Sequence, residues 1–266
     1  MQLTHPQGSY QNLPPEDVFI ALDDMGKQVG TGYIIPQYLP HRCPDRPVNL
    51  YFDIKSASSG WYILFGALLA RARELRDTHP EQPARFYTRI DPRDESMKSR
   101  FTHAGMKCDI VESTVALRLR EMPARIPMAC QVMPVPLATL QEQQSFLGRL
   151  QNNDISHITL DYLQELMRLP HFHALGLIHN QQIAAEAIFA GQGIACELVA
   201  VYTDERYRRQ GMAKALIDQG MQVLSKENVV SFSASFITMS EAQRALAVSL
   251  NARDLALQGV YPSLIL

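Results

Sequence analysis

The sequence YRRQGMAKAL, residues Tyr207–Leu216, joins a basic, glycine-containing loop to the start of an amphipathic helix. It follows the apolar run Leu198–Val201, which has the β-branched, uncharged composition of a buried strand. From Ala213 to Leu224 apolar residues recur at spacings of three and four, which predicts a helix with one face packed on a sheet. The predicted order is therefore strand, loop, helix.

The loop has the features of a phosphate-binding site. The first amide N–H groups of a helix have no intrahelical partner and lie at the positive end of the helix dipole, so they attract phosphate oxygens. Gly211 lets the backbone approach a ligand closely, because it has no Cβ. A pyrophosphate group is the predicted ligand, and the alternative is an ordinary basic helix start on an α/β domain.

The longer string VYTDERYRRQGMAKAL, Val201–Leu216, resembles the coenzyme A loop of the GCN5-related N-acetyltransferase (GNAT) family. Arg208, Gly211 and Ala213 satisfy the pattern Q/R-x-x-G-x-G/A, and the strand and helix stand on the correct sides of the loop. The resemblance implies an α/β (α+β) fold with a mixed, mostly antiparallel sheet flanked by helices. It also implies an acyltransferase that uses acetyl-CoA as co-substrate, needs no metal, and acetylates a primary amine of a small molecule or peptide.

The sequence predicts the same plan twice. In each half a hairpin precedes a third strand; the predicted strands are Val18–Asp23, Gln28–Ile35 and Val48–Ile54, then His171–Asn180, Gln182–Phe189 and Ile194–Thr203. Gly66 and Gly211 are 145 residues apart (211 − 66), and Gly105 and Asn251 are 146 apart (251 − 105). Each half is predicted to end in an apolar strand pair, Lys107–Leu119 and Arg253–Leu266.

The repeat, taken with the resemblance, implies two tandem GNAT-like domains. Pro123 and Pro127 mark a linker, because two prolines in five residues cannot continue a helix or a central strand. Residues 1–122 are predicted to form a degenerate domain and residues 128–266 the domain that binds acetyl-CoA. The first half is expected to bind no cofactor, because its corresponding register, Ile63–Gly66, is an apolar run without polar side chains.

The resemblance assigns cofactor contacts by position. Backbone groups of Val199, Val201 and Thr203 would pair with the pantetheine arm as an added strand does. The pyrophosphate would be wrapped by a continuous run of residues, namely Arg208, Arg209, Gln210, Gly211, Met212, Ala213 and Lys214. Ser240 takes the place of an Asn that usually contacts the cofactor arm, and its hydroxyl can still donate and accept. Seven positions later, Ala247 replaces the family's frequent Tyr general acid, and the first half has Phe101 there.

An amine acceptor would need help with its proton. An alkylammonium with a pKa near 10.4 is rarely neutral at pH 7, a handicap of about 4.6 kcal/mol. Glu197 is the best candidate for the base and Glu186 the second, while a solvent-facing structural role for Glu197 is equally open. Tyr202 either replaces the missing acid or packs on the sheet. The backbone N–H of Val201 would hold the oxyanion.

Three histidines near the predicted active strand are expected to be structural hydrogen-bonding groups, namely His171, His173 and His179. Two further helices, Leu137–Leu150 and Thr159–Leu169, are expected to wall the acceptor cleft, with the first half completing or covering it. They carry no code that identifies the acceptor. A non-catalytic acyl-CoA sensor remains the alternative function, favoured by the missing Tyr and the degenerate half.

Composition excludes several other classes. The net charge of −2 provides no basic field for nucleic acid. No apolar run reaches the roughly 20 residues of a bilayer-spanning helix, and the first twenty residues lack an export signal, so neither membrane nor nucleic acid is an expected partner. The four cysteines lack C-x-x-C pairing, which favours reduced thiols and a cytoplasmic location. The oligomeric state is open, and a homodimer is one option.

Overall fold

The computed structural model describes residues 1–266. Its strands are β1 Gln2–Thr4, β2 Val18–Leu22, β3 Gln28–Tyr38, β4 Val48–Ser56, β5 Ala84–Tyr87, β6 Lys107–Leu117, β7 Cys130–Pro134, β8 His173–His179, β9 Gln182–Gln192, β10 Ala195–Thr203, β11 Ser231–Ile237 and β12 Arg253–Ile265. Its helices are α1 Ser58–Arg76, α2 Glu95–His103, α3 Leu140–Asn152, α4 Leu160–Leu166, α5 Met212–Ser225 and α6 Glu241–Ser249. Each of these helices is too short or too polar to span a lipid bilayer.

The strands are mixed and mostly antiparallel, and they pair in two runs of neighbours, β1-β2-β3-β4-β5-β12 and β6-β11-β10-β9-β8-β7. Two neighbouring pairs are parallel, β4 with β5 and β10 with β11. One series of elements occurs twice: three strands, a helix, a strand, a helix and a long strand, from β2 to β6 and again from β8 to β12. The chain is therefore a tandem of two similar halves, as the sequence repeat predicted.

Contacts divide the chain into two compact units. The first is Met1–Val111 with Gly259–Leu266, and the second is Glu112–Gln258. They differ from the halves 1–122 and 128–266 because the closing strands β6 and β12 each contribute residues to both units. Within the first unit β12 pairs with β5, and within the second unit β6 pairs with β11. The sequence-based domain boundaries stay a prediction.

Both closing segments are single long strands, not strand pairs. Lys107–Leu119 contains no Gly, Pro or Asn that could form a hairpin turn, and β6 runs unbroken to Leu117. Arg253–Leu266 contains Gly259 and Pro262, yet β12 continues through both. The expectation of paired strands at the end of each half was therefore wrong.

The first unit is built around α1, which packs on β2, β3, β4 and β5. Its core is aromatic: Phe52 and Phe86 stack with ring centroids 4.0 Å apart, and Trp61 stacks on Phe65 at 5.1 Å. The helix approaches β3 closely at Gly32, where an added Cβ would lie 2.8 Å from Leu68 Cδ1. This contact explains a glycine inside a strand.

The equivalence of Gly66 and Gly211 was wrong. Helix α1 begins at Ser58, so Gly66 is its ninth residue, just as Gly220 is the ninth residue of α5. The apolar run before Gly66 forms a helix face and not a loop, an ambiguity inherent in short apolar runs. In contrast, Gly105 and Asn251 take equal places. Each has a left-handed φ, +85° and +51°, just after a helix and before the closing strand.

In the second unit, α5 packs on one face of β8, β9 and β10, and α3 and α4 cover the other face. The linker residues Arg120–Met128 contain no helix or strand. They are held on α5, because the Ala124 N–H donates to Asp218 Oδ2 at 2.9 Å and Gln222 Nε2 donates to the Arg120 carbonyl at 2.6 Å. The described His, Cys, Asp and Glu side chains form no cluster that could hold a metal ion.

Candidate active site

Strand β10 is paired on both edges at its start and on one edge at its end. Residues Ala195–Leu198 pair in parallel with β11, and that pairing stops at Leu198. The antiparallel pairing with β9 continues to Thr203. The stretch Val199–Thr203 therefore has no β11 partner on its second edge. Unpaired backbone groups on a strand edge can hydrogen-bond an extended ligand as an added strand.

A bulge marks the point where the two strands separate. The register between β10 and β9 shifts between Leu198 and Ala200, so Val199 has no opposite residue. Before the bulge Cys196 and Leu198 pack in the core under α5, and beyond it Ala200 and Tyr202 pack in the core under α3 and α4. One inserted residue thus changes which side chains face each layer. Of the three predicted contact residues, Val199 lies at this bulge.

The glycine loop lies directly after β10, where the sequence placed it. A one-turn 3-10 helix, Glu205–Tyr207, leads into α5, and Gly211 is the residue that caps α5, with φ +77°. An added Cβ at Gly211 would meet no protein atom within 4 Å, so the space beside it is open. The helix has no side-chain cap and no acidic residue in its first turn. Its first N–H groups are thus available to an anion.

The loop residues before α5 are held by their own hydrogen bonds. The Arg208 Nε donates to the carbonyl of Thr203 at 3.3 Å, and Arg206 Nε donates to Asp204 Oδ1 at 2.9 Å. Arg209 also has a left-handed φ of +60° and is exposed. Met212 is buried at the start of α5, so its contribution to a ligand would come from its backbone. The remaining predicted positions, Gln210, Ala213 and Lys214, follow the loop into the first turn.

Glu197 lies on β10 two residues before the bulge, at an exposed position. Partial desolvation of its carboxyl by the surrounding protein raises its pKa above the usual value. Burial, followed by the charges of Glu197 and Glu165, raises the pKa of Tyr162 on α4. The neighbours of Glu197, Cys196 and Leu198, pack on the α5 side of the sheet, so alternation along the strand places Glu197 on the face covered by α3 and α4. An accessible carboxylate with a raised pKa has the properties of a general base.

Glu186 and Tyr202 are bonded to each other. Glu186 on β9 is 1% exposed, and Tyr202 on β10 is its register partner and donates its hydroxyl to Glu186 Oε2. Arg149 on α3 donates to both carboxylate oxygens, from Nε at 3.0 Å and from Nη2 at 2.8 Å. Burial and the neighbouring Glu186 raise the pKa of Tyr202 strongly, which opposes proton release near neutral pH. This geometry favours Glu197 over Glu186 as a base.

Ser240 and Ala247, the two positions that the resemblance assigned to the helix after β11, both have structural roles. Ser240 is the residue before α6, not within it, and its Oγ accepts the N–H of Gln243 at 3.3 Å as a helix cap. It is 1% exposed. Ala247 lies in α6 and packs against the second unit's core. A contact from Ser240 to a cofactor stays a prediction.

The histidines make structural hydrogen bonds. Two of them, His171 and His173, share the carboxylate of Glu227, through Nδ1 at 3.2 Å and Nε2 at 2.8 Å respectively. His179 packs against Tyr207, with ring centroids 5.2 Å apart. These contacts agree with the structural role expected from the sequence. His171 also bonds the Gly193 carbonyl at 2.8 Å, which ties it to the turn before β10.

Sequence reasoning missed Arg149 and the bulge. One signal for Arg149 was available: Glu186 is the only charged residue in the strand QIAAEAIFAGQ, and a buried carboxylate needs a cation. No pattern in the sequence marks Val199 as a bulge, because the bulge is defined by the pairing of β10 with β9.

Comparison with known proteins supports a family assignment. Residues 140–248 match the acetyltransferase (GNAT) family. No curated protein sequence matches the chain significantly. A GCN5-related N-acetyltransferase from Sphaerobacter thermophilus is similar in structure, with a TM-score of 0.51 and 12% identity over 96% of this chain and 82% of that one.

Two further solved structures are more distant. A tandem GNAT protein from the clavulanic acid biosynthesis pathway has a TM-score of 0.45 and 12% identity, over 93% of this chain and 82% of that one. The ribosomal-protein-S18-alanine N-acetyltransferase of Escherichia coli has a TM-score of 0.42 and 16% identity, over 52% of this chain and 92% of that one. The matched segment spans α3 to α6, so this part of the chain is a GNAT-family acetyltransferase domain by sequence.

Proposed function

We propose that this protein is an N-acetyltransferase that moves an acetyl group from acetyl-CoA to a primary amine of a small molecule or peptide. The observation that carries the proposal is the edge of β10 over Val199–Thr203, unpaired with β11 and leading directly into the Gly211 loop. The strand edge would pair with the extended arm of a ligand, and the helix start that follows it along the chain would bind a pyrophosphate. Acetyl-CoA has both parts.

The cofactor contacts would come mainly from backbone groups. Val199, Val201 and Thr203 offer the edge, and residues 208–214 offer the loop and the first turn of α5. The open space beside Gly211 fits a ligand that approaches the backbone closely. Ser240, which is buried just before α6 and caps that helix, is also proposed to contact the arm.

The proposed reaction is direct attack by the amine nitrogen on the thioester carbonyl. The nitrogen forms a bond to the carbonyl carbon, the carbon–sulfur bond breaks, and the departing thiolate of coenzyme A takes up the second proton that the nitrogen loses as the amide forms. Glu197 would take the proton from the ammonium, and the Val201 N–H would stabilise the negative charge that develops on the carbonyl oxygen. Tyr202 and Glu186 are the less favoured catalytic candidates, because each already bonds the other.

Other parts of the proposal rest on the sequence. The chain would act in the cytoplasm without nucleic acid, membrane or metal, and a homodimer is open. The first half would bind no acetyl-CoA. Domain boundaries at 1–122 and 128–266 are proposed for the two sequence halves.

A panel of amines incubated with acetyl-CoA tests the function. Release of free thiol, together with an acetylated product identified by mass, would support the enzyme. The competing function is a non-catalytic acyl-CoA sensor, favoured by Ala247 at the position of the usual Tyr acid. Tight acetyl-CoA binding without turnover on any amine of the panel would favour the sensor.

A further inference from the structure

Three side chains from different elements of the second unit form one network, in which Glu186 and Tyr202 are buried and Arg149 is partly exposed. The guanidinium of Arg149 makes two parallel hydrogen bonds to the carboxylate of Glu186, which in turn accepts the hydroxyl of Tyr202. Two residues of its own helix, α3, also fix the position of the Arg149 side chain. Its Nη1 donates to Ser145 Oγ at 3.1 Å, and its guanidinium lies 5.6 Å from the ring centre of Phe146. The network is charge-balanced and every described carboxylate oxygen of Glu186 has a partner.

The network lies behind the open edge of β10. Tyr202 belongs to the stretch beyond the bulge, where β10 has lost its β11 neighbour and keeps only β9. A strand stretch paired on one side has fewer backbone hydrogen bonds to fix its position. Tyr202 links this stretch to β9 through Glu186, and Arg149 extends the link to α3. The link runs through side chains, so it occupies no backbone group of the edge.

We propose that Arg149, acting through Glu186 and Tyr202, is a positioning residue that holds the open edge of β10 in the geometry required to bind acyl-CoA. The proposal rests on the proposed function, because it assumes that acyl-CoA pairs with this edge. It assigns Tyr202 to positioning and not to proton transfer. Arg149 bonds both carboxylate oxygens of Glu186 at once. A lysine at this position could not do so, because its ammonium lacks the planar fork of the guanidinium.

The cleanest variant is Tyr202→Phe, because it removes one hydroxyl, keeps the ring packing and leaves the Arg149–Glu186 pair intact. The full loss of a hydrogen bond to a charged group corresponds to about tenfold to a hundredfold, and because only part of it acts on the edge, acetyl-CoA binding should weaken by about threefold to thirtyfold, measured by titration calorimetry on the full chain. KM for acetyl-CoA should rise by a similar factor, while kcat and its pH profile change by less than about threefold. Tyr87→Phe, the same change at a buried Tyr on β5 of the first unit, should leave acetyl-CoA binding unaltered.

Two Arg149 variants complete the test. The acetyl-CoA affinity of Arg149→Lys should lie between that of the parent protein and that of a double variant, Arg149→Met with Glu186→Gln. The double variant is used because it leaves no lone buried charge. Thermal unfolding confirms that each variant is folded. The proposal is overturned if folded Tyr202→Phe binds acetyl-CoA within twofold of the parent protein, as a purely structural network predicts. It is also overturned if Tyr202→Phe loses kcat by 100-fold with unchanged binding, which would make Tyr202 a proton donor. If the parent protein itself does not bind acetyl-CoA, the proposed function fails instead.

Discussion

The packing of α5 on the sheet can be tested with one substitution at two equivalent glycines. Gly220 and Gly66 are each the ninth residue of the helix that follows the third strand of their half. A Cβ at Gly220 would lie 2.4 Å from Cε2 and 2.7 Å from Cζ of Phe189. A Cβ at Gly66 would meet nothing within 4 Å. The same change to Ala should therefore have opposite effects at the two sites.

The expected magnitudes follow from two opposing terms. Replacing Gly by Ala inside a helix is worth about 1 kcal/mol of stability. At Gly66 this gain stands alone, so Gly66→Ala should stabilise the first unit by up to about 1 kcal/mol. At Gly220 the helix or the Phe189 ring must move by roughly 1 Å, and Phe189 is 1% exposed in a packed core. Overpacking of this kind costs about 1–3 kcal/mol, so Gly220→Ala should give a net loss of up to about 2 kcal/mol.

Urea unfolding separates the two effects. Trp61 is the chain's single tryptophan and is buried in the first unit, so its fluorescence reports Gly66→Ala. The unfolding of Gly220→Ala is followed by far-UV circular dichroism, which reports the secondary structure of both units. Because α5 begins at the proposed phosphate loop, Gly220→Ala should also weaken acetyl-CoA binding, and Gly66→Ala should leave it within about twofold. A gain in stability for Gly220→Ala, like the gain expected for Gly66→Ala, would refute the close packing of α5 on Phe189.

Two further predictions concern carboxylates. Glu197→Gln should lower turnover at least about tenfold with little change in acetyl-CoA binding, and the parent rate should fall as the pH drops through the raised pKa of Glu197, a limb that the variant lacks; full activity of the variant between pH 6 and 9 would make Glu197 structural. Desolvation by burial acts to raise the pKa of Glu227, but its interactions with His171 and His173 outweigh this effect and lower the pKa below the usual 4.5. The stability that it contributes is therefore complete above about pH 4.5 and is lost as the pH falls through the lowered value, so Glu227→Gln should flatten the acid limb of a stability profile; an unchanged acid limb would contradict this linkage.

Local elements were predictable because their signals are local. The hairpin between β8 and β9 has its turn at Asn180 and Gln181, and both residues have positive φ, 47° and 66°. The loop and helix after β10 were placed correctly because glycine, spacing and apolar periodicity agree. Gly105 and Asn251 could be matched because both end a helix in the left-handed conformation that these residue types tolerate.

Long-range pairing was not predictable. Nothing within Lys107–Leu117 or Arg253–Ile265 indicates which strands they join, and the choice of β11 for β6 and of β5 for β12 depends on the assembled sheet. The short strand β7 was also missed, since five residues beside two prolines give a weak pattern. In the candidate site, the backbone loop was found from sequence, whereas the roles of Glu186 and Tyr202 depend on Arg149, 37 residues before Glu186 in the chain.

Titration calorimetry of acetyl-CoA with the parent protein, Gly211→Asp and Gly211→Asn tests the central claim most directly. Both substitutions add a similar side chain at φ +77°, and only Asp adds a negative charge at the helix start. Gly211→Asp should bind more than about 100-fold more weakly than the parent protein and at least about tenfold more weakly than Gly211→Asn, because several charge-assisted hydrogen bonds to phosphate are disturbed. Arg209 lies at the exposed rim of the loop, so Arg209→Ala should weaken acetyl-CoA binding by less than about tenfold. If folded Gly211→Asp binds acetyl-CoA like the parent protein, the loop is an ordinary helix start and the acetyltransferase proposal fails.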